Sequence, residues 1–180
     1  MNPSSKLVLF HGTTEMKGKS IFQSRLLRHN HIQRAYDSDH LFPTTDNFLY
    51  LTNSFNFAVY CSNRVAVSSE EGESKKLYIF KCRVPEIILE ADLDEIRYST
   101  LNDQEIPNLT VLESLNLYHS ARVAQSLSLG REVLEYAVLP TAIEYSHPLN
   151  SITRMCTTPS KRTQLVIPEE IEWIQIEQND

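Results

Sequence analysis

The chain predicts an α+β fold, because its two periodicities are segregated along the sequence rather than interleaved. Apolar residues at helical spacing fall mostly in the first third, and runs that alternate apolar with polar dominate from residue 76 onward. No regular alternation of strand, helix and strand runs through the chain, which argues against a doubly wound parallel sheet. Its 180 residues fit one domain, 1–180, large enough to bury a core without metal or disulfide staples.

In order, Leu7, Val8, Leu9 and Phe10 form a brief apolar strand closed by Gly12 and two threonines. A helix over 15–27 follows, with Ile21, Phe22 and Leu26 on its apolar side and Thr14 as its cap. Residues 28–46 are polar and histidine-rich and end in Pro43-Thr-Thr-Asp46; a loop this long in a compact domain reads as a mobile lid or binding loop. A second strand at 48–52 leads through Asn53 or Ser54, either of which can cap, into a helix carrying Phe57, Ala58 and Cys61. Residues 68–75 are the clearest solvated turn. The strand at 76–84 then places Tyr78, Phe80, Cys82 and Val84 on its more apolar face.

Residues 87–93 form another apolar run, from which Asp92 starts a helical turn toward Tyr98, and 99–110 connect elements. The spacing of Leu112, Leu115 and Val123 predicts a helix over 111–124. Strands follow at 133–139 and 143–145, separated at Pro140, and 171–176 alternates as a final strand. The chain has no internal repeat, heptad pattern or low-complexity tract.

Composition excludes several function classes. A formal charge of −6 argues against a nonspecific nucleic-acid coat, although Lys17, Lys19, Arg25, Arg28 and Arg34 crowd the first quarter with His29, His31 and His40. Such a basic rim suits a diphosphate or a nucleic acid. No run approaches the ~20 apolar residues of a membrane span, and the polar start holds no signal-peptide core, so the expected location is the cytoplasm, with no membrane partner. Cys61, Cys82 and Cys156 are odd in number and lack CxxC spacing, and the histidines lack cysteine partners, so no metal is expected.

Three separated segments each put a polar residue inside or at the mouth of an apolar strand: Leu-Phe-His-Gly-Thr at 9–13, Tyr50 with Ala58 and Tyr60 on the following helix, and Leu-Glu-Tyr-Ala-Val at 134–138. A glutamate on such a strand is costly unless paired or used. In that order the three resemble the His-Tyr-Glu signature of the ADP-ribosyltransferases, on their diphtheria-toxin-like and poly(ADP-ribose) polymerase-like side. The resemblance covers 7–13, 48–61 and 133–139, and the intervening loops poorly.

This resemblance implies a split antiparallel β-sheet core with flanking helices, and NAD as substrate. It implies that the Gly12 backbone, with Thr13, grips the nicotinamide amide, that His11 orients a ribose hydroxyl, and that Tyr50 and Tyr60 sandwich the ring. Glu135 would be the catalytic carboxylate that steadies the cationic sugar, with His11 and Tyr50 completing the catalytic set. Arg28, or Arg25, stands where relatives contact the adenosine end of NAD. Glu132 precedes Glu135 by three residues, so period-2 geometry sets the two on opposite faces, unlike the Glu-x-Glu pair of arginine-modifying relatives.

The implied activity is mono-ADP-ribosyl transfer to a macromolecular acceptor, protein or nucleic acid, by a small bacterial or phage toxin with a neutralising antitoxin or inhibitor protein. The alternatives are an RNA 2′-phosphotransferase of the same broad fold, which relies on arginines and histidines rather than a glutamate, and an inactive module that binds ADP-ribose or a partner.

Overall fold

A computed structural model describes residues 5–30, 44–68, 76–100, 108–141, 156, 159–162 and 171–178. Among these, the strands are β1 (Lys6–Thr14), β2 (Leu26–Leu27), β3 (Leu49–Thr52), β4 (Lys76–Pro85), β5 (Glu90–Ala91), β6 (Ser120–Val123), β7 (Leu127–Ser128), β8 (Val133–Pro140) and β9 (Ile174–Gln175). The helices are α1 (Glu15–Ser24), α2 (Phe55–Ser68), α3 (Leu93–Thr100), α4 (Val111–Leu117) and the single turn α5 (Pro159–Arg162). The class is α+β. Seven strands pair antiparallel in the order β5-β6-β3-β1-β4-β8-β9, and β2 with β7 makes a separate ribbon. Among the described residues no helix is long and apolar enough to cross a membrane.

The register assigns side chains to faces. His11 pairs with Phe80, and Leu9 with Cys82, so these residues share one face, on which Phe22 of α1 packs against Phe80 and Tyr136. Phe10 pairs with Lys81, and Gly12 with Ile79, on the opposite face, which α2 covers through Phe55, Ala58 and Val59. Because β4 is central and covered on both sides, Leu77 and Ile79 are as buried as Phe80 and Val84. The less apolar face of this strand is therefore buried as well.

Local chemistry sets the element ends. The Ser54 hydroxyl accepts from the Phe57 amide at 3.3 Å and starts α2, and Asp92 Oδ1 accepts from the Glu95 amide at 3.0 Å and starts α3. Thr110 and Glu113 form a reciprocal capping box at α4. That helix ends at Leu117, not at 124, because His119 adopts a left-handed φ of 59° and Ser120–Val123 pairs instead with β3. Of the expected final strand only Ile174–Gln175 pairs, and the expected strand at 143–145 lies outside the described residues.

Two contacts hold the layers. At Gly12 the β1 backbone meets α2 so closely that a Cβ would stand 2.1 Å from the Ala58 carbonyl oxygen. Arg162 Nη2 meets Glu95 Oε1 at 2.8 Å with both side chains fully enclosed, and Arg162 also donates to the carbonyls of Cys156 and Tyr118. Overpacking typically costs about 1–3 kcal/mol, so Gly12→Ala is expected to lower the unfolding free energy by that amount, read as a lower urea midpoint with an unchanged m-value. Glu95→Gln leaves the Arg162 cation buried without its counter-charge and is expected to cost more, about 3–5 kcal/mol in the same measurement.

Candidate active site

The His11-Gly12-Thr13 motif sits where the sheet parts. β1 and β3 share a single residue pair, Phe10 with Thr52, while β1 stays paired with β4 to its end. His11 reaches across this gap: its Nδ1 lies 3.0 Å from the Tyr50 carbonyl oxygen. A carbonyl only accepts, so Nδ1 carries the proton and Nε2 presents a lone pair. Burial pushes the imidazole pKa down to about 4, against the pull of that carbonyl and with a further push from the Lys17 charge, so the ring is neutral at pH 7.

A cavity of about 350 Å³ opens beside this histidine, bounded by β1, α1, β2 and the second half of α2. His11, Gly12, Thr13 and the exposed Arg28 all line it, with Lys17 and Ser62 among their neighbours. Its volume is at the low end of small-molecule sites, which run from about 300 to 1,000 Å³. Lys17, Ser20, Ile21 and Ser24 enter the lining together because they share one stripe of α1, at i, i+3, i+4 and i+7. The sequence reading treated α1 only as an apolar stripe and missed this polar one, although the spacing alone could have found it.

The other motif residues lie elsewhere. Tyr50 is on the α2 side of the sheet, and its hydroxyl donates to Asp94 Oδ2 at 2.5 Å and to the Thr45 carbonyl at 2.8 Å. Tyr60 stacks on Phe57 at 6.1 Å and accepts from Arg64 Nη1 at 3.1 Å, and burial raises its pKa. The two rings therefore do not form a sandwich at the His11 cavity. Glu135 also faces the α2 side, where its Oε2 accepts from Lys81 at 2.6 Å and its Oε1 from Gln175 at 2.6 Å. The Lys81 hydrogen bond holds its carboxyl below the usual range, and that group is ionised at neutral pH.

The face of Glu135 depends on one inserted residue. Lys81 pairs with Glu135 but Cys82 with Val133, which leaves Leu134 as a β-bulge. Were the register of Cys82 with Val133 continued along β8, Glu135 would oppose Phe80 and share the face of His11. The convergence of His11, Tyr50, Tyr60 and Glu135 on one cleft, expected from motif order, is thus not what the structure shows. The bulge also breaks the period-2 count for Glu132, which turns back to accept from the Ser128 amide at 2.9 Å and to pair with Arg131 at 2.6 Å. Arg34, His31, His40 and positions 31–43 of the expected lid lie outside the described residues.

No family model matches the chain, and no curated protein matches it. Among solved structures it is similar to EcPltA, at 13% identity and a TM-score of 0.42, over 77% of this chain and 78% of that one. It is also similar to full-length CARDS toxin, at 9% identity and a TM-score of 0.41, over 77% of this chain and 25% of that one. This chain therefore spans about a quarter of the CARDS toxin.

The neutral His11 makes a testable contribution to stability. Its folded pKa of about 4 lies below the unfolded 6.5, so the unfolded state binds more protons between those values and stability rises with pH there. The contribution is full above pH 6.5 and is lost as pH falls through about 4, up to about 3 kcal/mol. His11→Asn is expected to flatten the stability profile between pH 4 and 6.5 relative to wild type, as measured by urea unfolding.

Proposed function

We propose that the chain transfers ADP-ribose from NAD to a macromolecular acceptor, with the nicotinamide and its ribose beside His11, Gly12 and Thr13. The observation that carries this reading is the neutral His11, locked as an Nδ1–H donor to the Tyr50 carbonyl in a residue that lines a ligand-sized cavity. Its Nε2 can then only accept, as from a ribose hydroxyl. Lys17 and Arg28 supply the charge for the diphosphate. In transfer, the bond from C1′ to the nicotinamide nitrogen breaks and its electron pair leaves with nicotinamide. An acceptor lone pair forms the new bond at C1′, and the acceptor gives up its proton.

An anion must steady the sugar as it becomes cationic, and in this reading that anion is Glu135, brought to the His11 face when the Leu134 bulge is absorbed. The parting of β1 from β3 supports the split core that the resemblance implies. A toxin of this activity, active where it is made, requires a neutralising partner protein.

One observation favours a second reading. Among the described residues no carboxylate lines the cavity, while His11, Lys17 and Arg28 do. That set suits an RNA 2′-phosphotransferase. Labelled NAD incubated with protein, RNA and DNA fractions tests the first reading, and Glu135→Gln is expected to lower transfer by about 10²–10³ with the fold unchanged by circular dichroism. Full transfer by that variant, with loss of 2′-phosphate removal from RNA in His11→Ala, would favour the second.

A further inference from the structure

A second cavity, of about 520 Å³, adjoins the first and shares Ser24 and Leu26 with it. Arg25, Ser128 and Arg131 line it, along with the backbone of Gly130. Arg25 stands at the end of α1 with a φ of 57°, and its Nη2 donates to the carbonyls of Leu129 and Glu177, at 3.4 and 2.9 Å. Arg25 is therefore positioned by neutral acceptors that leave its charge in place. Arg131 is 81% exposed and its Nε meets Glu132 Oε1 at 2.6 Å, a pair at the surface that solvent screens.

The described lining of the two cavities is more basic than the chain as a whole, although Glu132 pairs with Arg131 beside it. With 17 Lys and Arg against 23 Asp and Glu, acids outnumber bases overall. Among the described residues lining the cavities stand Lys17, Arg25, Arg28 and Arg131, together with His11, and not one carboxylate. Arg25 and Arg131 stand at the second cavity, apart from the Lys17 and Arg28 that meet the diphosphate in the first. A chain with a phosphate at every unit can reach those two cations while a dinucleotide holds the others.

We propose that the second cavity seats the acceptor and that the acceptor is a single-stranded nucleic acid, held by its phosphates. The acceptor role rests on the NAD reading above; the binding does not. Two adjoining cavities of a few hundred cubic ångströms take single nucleotides rather than a duplex, and chemistry on a base needs that base unpaired. Among the described residues that line the second cavity none is aromatic, so recognition is by charge, with strong salt dependence and little sequence preference.

Fluorescence anisotropy with a labelled oligonucleotide of about 12 nucleotides tests this. Wild type is expected to bind. Arg131→Glu should weaken binding about 10-fold or more, and Arg131→Ala should weaken it less. For each phosphate that a variant no longer neutralises, the slope of log K against log salt should fall by about 0.7. KM for NAD, read from nicotinamide release, should not change in either variant.

Failure of wild type to bind overturns the proposal, as does equal binding by Arg131→Glu. Displacement of the oligonucleotide by a polyglutamate peptide of matched charge also overturns it, in favour of an acidic protein. A raised KM for NAD in Arg131→Glu assigns the second cavity to the dinucleotide instead and overturns it too. Oligonucleotide binding without any NAD cleavage supports the groove and overturns the proposed activity alone.

Discussion

The approach of β1 to α2 at Gly12 is the constraint on which the rest of the site depends. With no Cβ at that position, the Ala58 carbonyl sits against the strand backbone and α2 lies flush on the sheet. One turn further on, Ser62 donates back to the Ala58 and Val59 carbonyls and reaches the His11 cavity. At the start of the helix, Phe55 closes on Phe10 and Trp173 at 5.9 Å each. The sequence presents Gly12 as a place for a ligand to approach the backbone. In the structure the atom that approaches is a helix carbonyl, and the ligand-sized space lies beside it.

Tyr50 shows how a motif residue can serve a site through its backbone. Its side chain is committed to Asp94, which also accepts from the Thr45 amide at 3.1 Å and the Thr45 hydroxyl at 2.8 Å. Arg122 lies 3.8 Å from the same carboxyl and stacks over Phe48 at 3.9 Å, so β3 is braced on its α3 side by charge and on its edge by β6. What Tyr50 offers the cavity is its carbonyl, which selects the His11 tautomer. That role belongs to a position in a strand, and any side chain there would supply the same oxygen.

This contrast explains what was legible in the chain. The apolar strand before Gly12, the Ser54 cap, the Asp92 cap and the alternation after Lys76 are local signals, and each marks an element that forms. β2 and β7 are two residues long and exist only because they pair with each other. No window of sequence contains that fact. Val123 fits a helical period from Leu115 and also fits β6, and pairing with Leu49 in the core decides between them. Within the site, motif order names residues one strand at a time. It does not reveal which face each one takes, because face follows from register, and register is a property of two strands.

The β8 bulge is the sharpest instance. The Lys81–Glu135 pair is one-third exposed at the lysine, and pairs of that kind contribute about 0–1 kcal/mol. Such a pair is too weak to choose the face. The backbone makes the choice: Arg83 donates to the Glu132 carbonyl at 2.7 Å and Ile176 to the Leu134 carbonyl at 2.8 Å, bracketing the extra residue from both neighbouring strands. Two backbone hydrogen bonds outweigh one partly exposed ion pair. The placement of the Glu135 carboxylate on the α2 side therefore follows from how β4 and β9 seat against β8, through groups that are identical at every residue and leave no mark on the sequence.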